Sequence, residues 1–281
     1  WEKALDLRLK TLGPFHIDVS KTYNNMGTIY HFEGNYKRAA EYMEKSLAVL
    51  LKLNAPEDDL LKDIYFNLGQ EYAKTSNFEK AELHHLRAIE IQKNLHPGED
   101  DPILIESYIA LAQCFNSKET FQKAFEFSNK SLQLYKKIKH NDLGLYAVIQ
   151  ETFGFTNLYT ENLEKASTHF KENLNIVLKL NGENHNLTAN AYSNLGLVEQ
   201  RKGNFKQSKY YQELALEIGI KSLGKEHPNV ASYYNNLAIT YNYNGDYDLA
   251  LEYFKQALLI YNKCLPAAHI DIATVHRNIG G

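Results

Sequence analysis

The chain has 281 residues, 44% of them hydrophobic and 23% charged, which is enough apolar surface for a sizeable core and too little charge bias for disorder. A formal charge of −3 and an isoelectric point near 6.4 argue against nucleic-acid or membrane-surface binding driven by charge. No apolar run approaches the length of a spanning helix, no secretory signal is visible, and Cys114 and Cys264 lie far apart without a CxxC partner, so free thiols and a cytoplasmic location are expected.

In chain order, residues 1–20 hold the second helix of a partial repeat, with Trp1 in the place that Phe254 takes later. Residues 22–47, TYNNMGTIYHFEGNYKRAAEYMEKSL, follow. Tyr23, Met26, Gly27 and Tyr30 fall at i, i+3, i+4 and i+7, one apolar stripe of a helix. Gly34-Asn35 breaks it, and Tyr36, Ala39, Ala40, Met43, Leu47 and Leu50 form the stripe of a second helix. A punctuated loop then leads to the next pair, as in Leu-Gly-Lys-Glu-His-Pro at 223–228, where Pro228 suits a first helical turn. Asp18, Asn229 and Asp271 sit in that same turn and favour the positive end of the dipole or a cap.

The pattern recurs. A small residue falls at Gly27, Gly69, Ala112, Gly154, Gly196, Ala238 and Gly280, in steps of 42 residues with one step of 43. A second small position runs Ala39, Ala81, Ala124, Ala166, Ser208 and Ala250, and a third runs Ala4, Ser46, Ala88, Ser131, Asn173, Ala215 and Ala257. All three place a one-residue insertion between 88 and 112. Gly27 and Ala39 mark where two antiparallel helices touch, and a larger side chain there would push the axes apart. One pair cannot bury both faces, so the pairs must stack into a solenoid. The units are 21–61, 62–105, 106–148, 149–189, 190–231 and 232–273, with 274–281 opening another. The chain begins inside a second helix and stops inside a first, so a segment of a longer protein is expected.

These small, aromatic and Ala positions resemble the tetratricopeptide repeat (TPR) pattern. The 42-residue unit and the Leu-Gly-x-x-His-Pro loop narrow the likeness, and residues 221–257, KSLGKEHPNVASYYNNLAITYNYNGDYDLALEYFKQA, resemble the repeats of kinesin light chains. The resemblance covers the whole chain. It implies an all-α solenoid, a right-handed TPR superhelix of antiparallel helix pairs whose first helices line a concave, peptide-holding surface.

Catalytic motifs are absent: there is no P-loop, H-E-x-x-H, G-x-S-x-G or Rossmann fingerprint. His16, His185, His227 and His269 recur at equivalent places, but repeat spacing of about 8–10 Å exceeds the ~2.0–2.1 Å zinc–nitrogen bond, so a helix-start or loop role is expected. His84-His85 reads as a surface pair, and Cys114 has no catalytic setting. No enzyme activity, metal or cofactor is expected.

Counting the small residue as position 8 puts positions 4, 7, 8 and 11 in the core and 2, 5, 6, 9, 12 and 13 on another face. Position 6 reads Asn25, Asn67, Ala110, Thr152, Asn194, Asn236 and Asn278. Asn is a poor helix former and needs a reason here: its amide either grips a peptide backbone, as the resemblance implies, or bonds a neighbouring helix and sets the stacking. Around it, the early units are polar, with Lys21, Asn24, Thr28, His31 and Gln70. Later units are more apolar, with Phe155, Tyr159, Leu197, Ile239 and Tyr243 beside Asn235 and Arg201. The face is near neutral in charge and lacks the basic groove suited to acidic kinesin cargo motifs. Position 11 is aromatic at Tyr30, Tyr72, Phe115 and Tyr241 but holds Asn157 and Glu199 in between, where a carboxylate must be paired or solvated. The expected function is a non-enzymatic scaffold or adaptor for a peptide or protein, with no nucleic-acid, membrane or small-molecule partner. A regulatory or sensor arm of an NTPase- or protease-containing protein, and a structural arm in a large assembly, are the alternatives.

Overall fold

A computed structural model describes residues 1–97, 101–265 and 269–280. Residues 98–100, 266–268 and 281, which fall within the expected units 62–105, 232–273 and 274–281, lie outside it. The described residues form 14 helices and no strand, in two compact units, Trp1–Asn141 and Asp142–Gly281.

The first unit contains α1 (Glu2–Leu12), α2 (Ile17–Phe32), α3 (Tyr36–Lys52), α4 (Asp59–Lys74), α5 (Phe78–Leu95), α6 (Ile103–Ser117) and α7 (Phe121–Lys137). The second contains α8 (Leu143–Tyr159), α9 (Leu163–Asn181), α10 (Asn186–Arg201), α11 (Phe205–Leu223), α12 (Pro228–Asn244), α13 (Tyr247–Cys264) and α14 (Ile270–Gly280). In both, each even-numbered helix from α2 to α12 pairs most closely with the odd-numbered helix after it, and each pair packs on the next, as in an α-solenoid.

First helices start upstream of the unit boundaries drawn on the small-residue register: α2 begins at Ile17 and α12 at Pro228, not at 21 and 232. The reason is a cap. The Nδ1 atoms of His16, His185, His227 and His269 accept from the backbone N–H groups of Asp18, Leu187, Asn229 and Asp271 at 3.1–3.2 Å. An unprotonated ring nitrogen here does what an Asp or Ser oxygen does elsewhere, satisfying a donor that the helix leaves open. The recurring histidines therefore start helices, and Asp18, Asn229 and Asp271 supply the N–H group rather than the cap.

The turn between paired helices repeats as well. Gly34, Gly203 and Gly245 have φ of +74°, +80° and +88°, and Ser76, Glu119 and Glu161 adopt the same left-handed conformation at equivalent places with φ of +59°, +56° and +58°. One residue later the backbone N–H returns to the position-11 carbonyl, as in Asn35 to Tyr30, Asn162 to Asn157 and Asn204 to Glu199, at 2.8 Å each. Position 11 thus closes the turn through its backbone whatever its side chain. Asn157 is buried with its Nδ2 on the Phe153 carbonyl at 2.8 Å, and half-buried Glu199 receives Asn204 Nδ2 at 2.8 Å and Lys202 Nζ at 3.6 Å. Neither helix is broken there.

Small residues sit where the helices meet. A Cβ on Gly27 would lie 2.7 Å from Met43 Cγ, on Gly69 2.6 Å from the His85 ring, on Gly154 2.4 Å from the Phe170 ring, and on Gly196 2.4 Å from Gln212 Nε2. The same slot of the second helix is therefore filled by Met43, His85, Phe170 and Gln212. This corrects the surface reading of His85, which is 0% exposed, lies edge-on to Phe66 at 5.4 Å, and buries both ring nitrogens without a hydrogen-bond partner. Burial pushes its pKa down from 6.5 to about 4. His84 is half-buried between Tyr65 and Tyr72, with Nδ1 2.7 Å from the Lys80 carbonyl. Cys114 is buried and donates to the Phe78 carbonyl at 3.3 Å, and burial raises its pKa to about 11, so the thiol is inert. Cys264 is exposed.

Candidate functional site

In the second unit the first helices α8, α10, α12 and α14 are tied side to side. Asn194 Nδ2 donates to Glu151 Oε1 at 2.9 Å, Asn236 Nδ2 to Ser193 Oγ at 3.0 Å, and Asn278 Nδ2 to Asn235 Oδ1 at 3.1 Å. Each bond joins position 6 of one repeat to position 5 of the repeat before, 43 residues back. Tyr233 Oη also reaches Asn190 Oδ1, and Thr240 Oγ1 reaches Gln200 Oε1 at 3.4 Å. The ladder extends inward. Ser193 Oγ donates to Gln212 Oε1 at 3.0 Å, and Gln212 Nε2 donates to the Ser193 carbonyl at 3.0 Å. Thus the Asn amides of this unit hold helix to helix.

Their neighbours remain available. Phe155, Leu197 and Ile239, all at position 9, are half-buried and form an apolar row, each resting on the core beneath it. At position 13 stand Tyr159, 45% exposed, exposed Arg201, and Tyr243, 62% exposed. Tyr159 stacks on Phe155 at 6.0 Å and Tyr243 lies nearly parallel to Phe205 at 6.1 Å, while Arg201 Nη1 meets Glu161 at 2.6 Å. Half-buried Glu151 has its pKa raised by burial, offset in part by the Asn194 amide. Leu158, counted with this face at position 12, is buried in the core instead.

The first unit is more polar. Lys21 and Asn25 are exposed, and Asn24, Thr28, Asn67 and Gln70 are half-buried. Asn24 Oδ1 is itself buried without a partner, and Thr28 Oγ1 bonds the Asn24 carbonyl at 3.2 Å. His31 is not free: its Nδ1 lies 2.6 Å from Oε1 of Glu71, a carboxylate 1% exposed. Burial raises the Glu71 pKa against the opposing pull of His31. The buried acceptor Glu71 and the ladder acceptors Glu151 and Ser193 were missed as structural partners. The offset of 43 between positions 6 and 5 was the one signal for the ladder.

Among the described residues no cluster of three or more His, Cys, Asp or Glu could hold a metal ion, and no helix is long and apolar enough to cross a membrane.

A family model described as tetratricopeptide repeat matches residues 1–52, 63–137, 145–218 and 187–263. A comparison with curated protein sequences finds no match. Among solved structures, BtubC (BKLC) from P. vanneervenii is similar at 22% identity over 81% of this chain and 91% of its own, with a TM-score of 0.62. NprR in complex with its cognate peptide NprX is similar at 13% identity over 98% of this chain and 77% of its own, with a TM-score of 0.69. A signal transduction ATPase with numerous domains and a tetratricopeptide repeat sensor, PH0952 from Pyrococcus horikoshii, is similar at 16% identity over 94% of this chain and 42% of its own, with a TM-score of 0.61. The repeat register, the helix pairs that follow it and the family match together establish that the chain belongs to the tetratricopeptide repeat family.

Proposed function

We propose that the chain is a non-enzymatic interaction scaffold that binds a peptide or partner protein on its first-helix faces, with the second unit supplying the apolar anchors. The observation that carries this is the row Phe155, Leu197 and Ile239, left half-open on a face whose amides are already spent on stacking. Apolar side chains flanked by exposed tyrosines and an arginine have the composition of a binding surface rather than of a solvated one. The first-helix face of the first unit, with Lys21, Asn25 and Gln70, is polar and offers hydrogen-bonding groups of its own. A peptide complex is known for the similar fold of NprR, which supports this reading.

A second reading is a sensor arm that controls an enzymatic domain elsewhere in a longer protein. It is favoured by the likeness to PH0952, whose own repeats are described as a sensor. The kinesin-light-chain kind of adaptor is supported by the 42-residue unit but not by the charge of the face, which has no basic groove.

The test is capture of a partner from its native extract by the immobilised chain, comparing wild type with Leu197→Asp/Ile239→Asp. Loss of the captured protein with an unchanged melting temperature supports the scaffold. Equal capture by both proteins sinks it.

A further inference from the structure

Glu151 is the one Asp, Glu, Lys, Arg or His among the 17 residues of α8, and no other stands between Asp142 and Glu161. Its Oε1 accepts from Asn194 Nδ2 on α10 at 2.9 Å. Among the described residues no Lys, Arg or His forms an ion pair with it, and Oε2 has no partner and is not one of the buried polar atoms. The ladder does not call for this charge. In the next two repeats Asn236 and Asn278 donate to neutral oxygens, those of Ser193 and Asn235. A carboxylate drawn partly out of water without a cation costs free energy. That cost is what raises the Glu151 pKa, and an incoming cation would offset it.

Contacts within and between two helices fix what surrounds this carboxylate. On α8, Val148 and Phe155 are its i−3 and i+4 neighbours, and Tyr159 follows Phe155 on the same face. On α10, Leu197 is the i+3 neighbour of Asn194. Phe155 and Leu197 are half-buried and rest on one core cluster. Val148 is 37% exposed, and Tyr159, stacked on Phe155, is 45% exposed. The open oxygen of Glu151 therefore borders an apolar and aromatic surface shared by α8 and α10. Arg201, seven residues beyond Asn194 and so ~10 Å further along the helix axis, is paired with Glu161 at 2.6 Å.

An arginine suits both halves of such a place. Its guanidinium offers a planar fork to a carboxylate, stacks on aromatic rings and is more weakly hydrated than an ammonium, and its stem covers apolar surface. Resting on the scaffold reading above and deepening it, we propose that the partner's segment inserts an arginine at the junction of α8 and α10. The guanidinium sits on Glu151, and the stem and apolar neighbours of the arginine lie on Phe155 and Leu197.

The probe is a pool of heptapeptides, X-X-Leu-Arg-Leu-X-X, with X drawn from Ser, Asn, Leu and Tyr. Each peptide is capped at its N-terminus with an uncharged dye and amidated at its C-terminus. Two control pools carry citrulline, the neutral isostere, or lysine in place of arginine. Binding to the 281-residue chain is followed by anisotropy. The arginine pool should bind at least about tenfold more tightly than the citrulline pool and more tightly than the lysine pool. Glu151→Gln keeps an acceptor for Asn194 and removes the charge. It should abolish the preference for arginine over citrulline, leave citrulline binding as it was, and not lower the melting temperature. Glu172→Gln, at an exposed carboxylate on α9, should keep the preference.

Absence of binding, equal binding of the arginine pool with either control, or a preference that survives Glu151→Gln overturns the proposal. So does a preference lost equally in Glu172→Gln, which would assign it to net charge. If the pools fail while Leu197→Asp/Ile239→Asp still abolishes partner capture, this inference falls and the scaffold reading stands. If that double variant captures normally, the scaffold reading falls by its own test.

Discussion

Asn236 Nδ2 donates to Ser193 Oγ across 43 residues of sequence, and the same hydroxyl donates to buried Gln212 on the second helix beneath. One amide thus links two first helices, and through Ser193 it reaches the interior of the pair. Its counterpart Asn194, 7% exposed, ties α10 to α8 through Glu151.

Asn194→Ala/Asn236→Ala should therefore lower stability. A neutral bond contributes about 0.5–1.5 kcal/mol and one to a charged group about 1.5–3, so the pair should cost roughly 2–4 kcal/mol in urea unfolding. An unchanged midpoint would show that the ladder does not hold the stack and would return these amides to a partner.

The left-handed turn offers a test free of side-chain packing. Glu119 occupies it with φ +56° and Gly203 with φ +80°. Glu119→Gly should be neutral or stabilising by up to about 1 kcal/mol, and Gly203→Ala destabilising by about the same. Thermal melts of the two variants decide it, and equal shifts of one sign would contradict the shared turn.

Gly154 and Gly203 do different work. A Cβ at Gly154 meets the Phe170 ring at 2.4 Å, and that ring is 0% exposed with no room to retreat. Gly154→Ala should cost about 1–3 kcal/mol by overpacking. Gly154→Ala with Phe170→Leu should recover part of it, and a double variant as unstable as the sum would argue against that contact.

His85 makes stability pH-dependent. Its pKa is about 4 in the folded chain and 6.5 ordinarily, so the unfolded chain takes up the proton first as pH falls. Its contribution is complete above about pH 6.5, is lost progressively as pH falls towards 4, and then levels off, amounting to about 3 kcal/mol. His85→Met, the residue that Met43 supplies in the same slot, should flatten that limb relative to wild type. Identical acid profiles for the two proteins would mean that His85 is hydrated or charged in the fold.

Much of this was legible in the sequence because repetition samples one structural position several times. Three small-residue registers located the helix pairs, and the glycine contacts with Met43, Phe170 and Gln212 show why those positions stay small. His85 was misread because it was viewed as half of a His-His dipeptide, although its register placed it in the Met43 slot. The ladder was half legible: Asn at position 6 stood out, but its partner varies among Glu151, Ser193 and Asn235, and a varying acceptor leaves no repeated letter. The cap was readable as a His recurring before four first helices, α2, α10, α12 and α14, while its chemistry, Nδ1 accepting an N–H, needs coordinates.

Buried packing positions and an open first-helix face are separate in this chain, and site-specific photo-cross-linking tests that most directly. A photoreactive residue is placed at Leu197 on α10, and in a second protein at Tyr210, 54% exposed on α11. Cross-linking of the partner at 197 and its absence at 210 is the expected result. Cross-linking at 210 with none at 197 would place the partner on the second helices and contradict it.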